Sequence, residues 1–299
     1  MRKFVGFIPE AKFDEQIARR VKLSPGLFLL SKNHINAISL SLLIEELGYK
    51  ASEGIFIYFE GELKENEETT AYEIFQGYCL ALTFFYKDGR ATCRAIKELE
   101  TDKRVELYID EADQFRFDPD DAISLSRGDL KKIEKVYGRV KEQLSITEFN
   151  PLRNSIEFFL MFLKENQIRI RLLYLTICLE GVFLDGDNQE INHKLSLRCA
   201  KFLNKFDNTI EPRATFFEVK NGYKLRSKII HGDDYAKESS SQIKSPKSRA
   251  GSEIDHVLIL ERIVKNMYHF VFLDQDIYTM AVKRKLGECI DEKYILEKI

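Results

Sequence analysis

The spacing of apolar residues changes part-way along the chain. In the first 125 or so residues the pattern is mixed. GIFIYFEGEL (54–63) is rich in aromatic residues, which predicts a strand. ATCRAIKEL (91–99) and KRVELYIDE (103–111) read as two more strands, with ETDK as the turn between them. TTAYEIFQGYCLALTFFYK (69–87) has helical spacing, with Thr69 or Thr70 placed to cap it and Gly89 soon after its end.

Beyond FDPDDAISLSRGD the period becomes helical. Asp129 is placed to cap a helix over about 130–144, and Pro151 stands at a helix start. Residues 152–184 read as helix with a break near Gln167. Asn192 heads a helix over 193–204, Pro212 precedes one over 214–231, and Glu253 opens a long one reaching Leu273. KESSSQIKSPKSRAGS (237–252) is polar, Ser-rich and aperiodic, which predicts a mobile loop. The fold class expected is α+β, with a small mixed domain (1–127), sensing or regulatory in role, followed by an all-α bundle of four or five helices (128–299).

Composition narrows the picture only a little. Hydrophobic residues at 44% and charged residues at 31% describe an ordinary globular protein with a real core. A formal net charge of -2 supplies no overall pull toward nucleic acid, so any such binding must come from a local patch. The N-terminus lacks a signal-peptide pattern, and the longest apolar-rich piece (156–163) is too short to span a bilayer. The five cysteines form no C-x-x-C pair and the five histidines show no ligand spacing. These features predict reduced thiols, a cytoplasmic location, no membrane, no metal and no cofactor.

GYKLRSKIIHGDD (222–234) carries the candidate chemistry. On a helical wheel of about 100° per residue, Phe216, Val219, Tyr223, Leu225, Ile229 and Ile230 share one broad arc, and Arg226 falls in its middle. A guanidinium on an apolar face must meet an anion, either a bound phosphate or a buried carboxylate such as Glu180. His231 lies at the edge of the arc, about 140° round from Arg226. The two can meet through the length of Arg, through unwinding near Gly232, or across a dimer. Lys220, Lys224 and Lys228 form an i, i+4, i+8 row that reads either as a phosphate track or as a solvated face. A cation in a last helical turn followed by Gly is also an ordinary helix end.

The segments LLYLTICLEGVFLDGDNQEINHKLSLRCAKFL (172–203) and FFEVKNGYKLRSKIIHGDD (216–234) resemble the HEPN superfamily, and within it the Apea-like group. The matching elements are Leu179-Glu180 with Phe183, Asn192 to Ala200, and Tyr223 with Arg226 to Gly232. The likeness covers roughly 130–275 and leaves the first half uncovered. It implies a helical bundle that dimerises, with R-x4-H motifs facing across a cleft that acts as a metal-independent endoribonuclease. Arg226 and His231 then take the catalytic positions, and the role implied is that of a toxin or antiphage effector, held by a protein regulator or a phage-derived trigger. Glu180, Ser227 and Tyr223 support the pair. Many members follow the Arg with Asn, Asp or His, whereas here it is Ser227, as in the Apea-like group. Lys220, Lys224, Lys228, Lys244, Lys247 and Arg249 would hold the RNA strand. The competing expectations are a non-catalytic module binding RNA or a protein, and an accessory subunit of a larger defence complex.

Other positions read as structural. His34 suits a cap or surface site, and His256 and His269 belong to the last long helix. DEADQFRFDPDD (110–121) is acidic but lacks the periodicity and central Gly of a calcium loop, which predicts a solvated segment.

Overall fold

The computed structural model describes residues 2–8, 11–13, 20–24, 26–30, 54–61, 68–86, 90–91, 93, 95–98, 104–105, 123–184, 186, 190–244 and 249–292. Lys247, His34 and the acidic stretch at 110–121 lie outside them, apart from the strand edge that follows. The elements are β1 (Arg2–Ile8), β2 (Ala11–Phe13), β3 (Arg20–Ser24), β4 (Leu27–Leu30), β5 (Ile55–Gly61), α1 (Glu68–Phe85), β6 (Ala95–Glu98), β7 (Arg104–Val105) and β8 (Ile123–Leu125). Then come α2 (Arg127–Ser145), α3 (Pro151–Lys164), α4 (Ile168–Phe183), α5 (Ile191–Phe206), α6 (Pro212–His231), α7 (Tyr235–Ile243), α8 (Glu253–Leu273), α9 (Gln275–Val282) and α10 (Leu286–Ile290). The class is α+β, as expected: an antiparallel sheet followed by a helical region.

The chain forms two compact units, residues 1–142 and 143–299. The first is built on a six-stranded sheet in the order β3-β4-β5-β1-β6-β7, every neighbour antiparallel. A separate parallel pair joins β2 to β8. The central strands β1 and β5 pair from Arg2 with Gly61 to Ile8 with Ile55, and bury Phe4, Val5, Phe7, Ile55, Phe56 and Ile57. Strands buried on both faces read as near-continuous apolar runs, and FVGFI and IFIYF are such runs. Gly6 is required where a Cβ would stand 2.6 Å from the Cys93 sulfur. Helix α2 packs within this unit, Tyr137 meeting Tyr78 edge to face at 5.7 Å, and Ser126 rather than Asp129 caps it. The pattern sets a division at 127/128, whereas α2 stays with the first unit as far as Glu142.

In the second unit, α4 is the central helix. Leu172, Leu175, Cys178, Leu179, Val182 and Phe183 are buried around it, so little of its circumference is polar, as a core helix requires. Each such Leu or Phe contributes about 1.5–3 kcal/mol by leaving water. α3 folds back onto α4 as a hairpin, α5 onto α6, and α8 closes the far side. The α3–α4 contact is close because position 181 is Gly: a Cβ there would lie 2.8 Å from the Pro151 carbonyl oxygen. Inside this packing the Ser155 hydroxyl donates to the Cys178 carbonyl at 2.7 Å and shares a 2.6 Å hydrogen bond with the Tyr268 hydroxyl.

The boundaries of α3, α4, α6 and α8 follow the pattern. The expected loop at 237–252 does not, because its first part is the helix α7. Asp234 caps it by accepting the Lys237 N–H, and Tyr235, Ser239 and Gln242 form its buried face. That face carries no aliphatic residue, so the apolar period is silent. No helix among the described residues is long and apolar enough to cross a membrane.

Candidate functional site

α6 is anchored at both ends by its own sequence. Glu211 caps it by accepting the N–H groups of Arg213 and Ala214, with Pro212 in the first turn. Gly232 ends it in the left-handed region at φ 69, and the Asp233 N–H reaches back to the Lys228 carbonyl at 3.0 Å. The helix is continuous through His231. Unwinding therefore does not bring His231 toward Arg226, and within one chain the two remain on separate faces.

Arg226 meets Glu180 of α4. Its Nη2 donates to Oε2 at 3.2 Å, and its Nε stands 2.9 Å from Oε1, at ion-pair distance but out of line for a hydrogen bond. Both side chains are about four-fifths covered, at 22% and 19% exposure. Burial raises the Glu180 carboxyl above its ordinary range, and Arg226 opposes this by favouring the carboxylate. Tyr223, one turn back, places its ring 5.2 Å from the guanidinium carbon. The guanidinium is thus held along one edge and against one ring. Its Nη1 donors are left for a further acceptor.

His231 is exposed at the helix end and forms no hydrogen bond among the described residues. Ser227 is half-buried and Ile230, expected within the apolar arc, is half exposed. Lys224 and Lys244 are exposed, and Lys228 pairs with Asp233 at 3.1 Å. Arg249 approaches Glu211 at 3.6 Å, with both side chains more than half exposed. Lys220, Lys224 and Lys228 thus share the continuous helix α6 at i, i+4, i+8, while Lys244 follows α7 and Arg249 lies beyond it.

A second feature of α6 has no precedent in the sequence reading. Phe216, Lys220 and Tyr223 follow one another at i, i+4, i+7, and His193 from the first turn of α5 packs edge to face on Phe216 at 5.6 Å. The Lys220 ammonium lies over the same ring at 5.4 Å and meets no carboxylate among the described residues. An open pocket of about 640 Å³ results, lined by Glu190, Ile191, Asn192, His193, Lys220 and Tyr223. The spacing on α6 was available to the wheel. His193 was not, since its position depends on how α5 packs against α6.

On the opposite side of α6, Glu218 and His256 are buried together. Glu218 accepts the Arg249 N–H at 2.7 Å and lies 3.9 Å from His256 Nδ1. Burial raises the Glu218 carboxyl and lowers the His256 imidazole. Among the described residues no three His, Cys, Asp or Glu side chains converge as a metal site requires. Compared with known proteins, the chain matches no family model, no curated protein and no solved structure.

Proposed function

We propose that the second unit is a HEPN-like, metal-independent endoribonuclease that works as a homodimer. The observation that carries this reading is the presentation of Arg226. Glu180 and Tyr223 fix a guanidinium beside an open pocket, with donors left over for a phosphate. Replacing a largely covered ion pair with a well-packed apolar pair is often neutral or stabilising, so retention of the charge supports another use.

RNA carries its own nucleophile. The 2′-oxygen forms a bond to phosphorus, the bond from phosphorus to the 5′-oxygen breaks, and the products are a 2′,3′-cyclic phosphate and a 5′-hydroxyl. One proton leaves the 2′-hydroxyl and one arrives at the 5′-oxygen. The His231 imidazole, able both to take and to give a proton, suits that transfer, and Arg226 stabilises the charge gathered on the phosphoryl oxygens. Because His231 and Arg226 diverge on one straight helix, a second copy brings the two kinds of group to one phosphate. The role that goes with such an activity is that of a cytoplasmic toxin or defence effector, with the first unit restraining or sensing.

One observation favours a different reading. Arg226 already has a carboxylate partner, as a purely structural arginine would. In that case the unit binds RNA or a protein without cutting. Mixed RNA incubated with the protein in EDTA separates the two. The ribonuclease yields fragments ending in 2′,3′-cyclic phosphate, whereas intact RNA at high protein concentration supports the binding module.

A further inference from the structure

We infer that the pocket between the start of α5 and the middle of α6 holds a single unpaired nucleotide of the RNA strand. The inference rests on the ribonuclease reading for its choice of polymer, and deepens it by naming a subsite and a substrate form.

Four observations select this ligand. The rings of His193 and Tyr223 line the pocket, with Phe216 backing His193 at 5.6 Å, so a flat heterocycle has aromatic neighbours. Ile191 adds an apolar wall, and the Asn192 amide offers both a donor and an acceptor to a base edge. Lys220 supplies one ammonium with no carboxylate partner among the described residues. Against it stands one carboxylate, Glu190, in the same lining. One cation and one anion cannot hold a triphosphate, but they suit one backbone phosphate together with a base amino group or sugar hydroxyl. A volume of about 640 Å³ accommodates a nucleotide and not a paired helix.

Continuity with the chemistry comes from Tyr223. Its ring belongs to the pocket and also lies 5.2 Å from the Arg226 guanidinium carbon. A base seated beside Tyr223 therefore lies next to the phosphate that Arg226 would bind. Base-paired RNA presents no free base faces, so the pocket restricts the enzyme to single-stranded stretches.

The test titrates a labelled single-stranded RNA of about ten nucleotides, long enough to fill the pocket and the neighbouring phosphate site, into His231→Ala protein, which leaves the strand uncut. His193→Ala and Lys220→Ala are then added to that background. His193→Ala should weaken binding about 5- to 100-fold, the span of a lost base stack. Lys220→Ala should weaken it several-fold and flatten the salt dependence by about one phosphate contact, and Lys220→Arg should restore it. A duplex of the same sequence should compete poorly. Both positions are at least partly exposed, and matched melting temperatures confirm intact folding.

Unchanged affinity in both variants, or equal competition by the duplex, overturns the pocket. If the variants lose binding while wild-type protein cuts no RNA, the pocket stands and the ribonuclease reading falls. If wild-type protein cuts RNA and the variants bind normally, the reverse holds.

Discussion

Two glutamates of the helical unit, Glu180 largely covered and Glu218 buried, are partnered in different ways. Glu180 meets the permanent cation Arg226, and Glu218 meets a backbone N–H and the His256 imidazole. Burial raises both carboxyls, and each is drawn back toward the charged form: Glu180 by the charge and a side-chain hydrogen bond of Arg226, Glu218 by the backbone N–H and the charge of Arg249. The first arrangement keeps a full charge pair at the edge of an open pocket. The second ties the chain at Arg249 to the body of the bundle through a backbone N–H. The lesson is that a buried carboxylate marks a candidate site when its partner retains unused donors, and marks a tether when its partner is backbone.

Breaking each half of this comparison gives different losses. Arg226→Ala should lower RNA cleavage by about 10²–10³-fold, the usual effect of removing a donor to developing charge, with the change in kcat and not in RNA affinity alone. Initial rates on a defined RNA check this. Loss of stability should accompany it, since Glu180 is left buried and unpaired. Glu180→Gln separates the effects, because it keeps the shape, keeps an acceptor for Arg226 and lowers cleavage less.

Glu218→Ala should leave cleavage chemistry in place and destabilise the helical unit by about 1–3 kcal/mol, the price of stranding the Arg249 N–H. Chemical denaturation measures it. Gly222→Ala acts nearby by crowding, since a Cβ there would stand 2.7 Å from Leu260 of α8, and about 1–3 kcal/mol is expected.

His256 adds a smaller, pH-dependent contribution. Its folded imidazole pKa is lowered below the ordinary value of 6.5, so the unfolded chain binds the proton first. The stability it supplies is complete above about 6.5 and is lost as pH falls through the folded value. Wild-type protein should therefore lose more stability than His256→Asn between neutral pH and mild acid. Melting curves across that range decide it, and parallel curves would contradict the assignment. The smallest effect belongs to Lys228→Ala. Its pairing with Asp233 is solvent-exposed and should contribute under about 0.5 kcal/mol.

Much of the helical unit was legible. Pro151, Gln167, Pro212 and Glu253 stand at observed helix starts or breaks because caps and proline act locally. The Arg226–Glu180 pair was legible too, since a guanidinium on an apolar arc demands an anion. β1 to β4 were not, because strand pairing between residues tens of positions apart leaves no local signature. α7 escaped through its polar buried face. His193 and the Glu218–His256 pair escaped for a third reason: each is created by helices packing side by side, which a wheel of one helix cannot display.

The divergence of Arg226 and His231 on one unbroken helix is the claim most open to direct attack. Mixing Arg226→Ala with His231→Ala protein under conditions that exchange subunits leaves one complete Arg–His pair in every mixed dimer. Each variant alone should be inactive on RNA in EDTA, and the mixture should recover about a quarter of wild-type activity, as random pairing of two-site dimers gives. A mixture that exchanges subunits and stays as inactive as its parts would contradict a site shared between two copies.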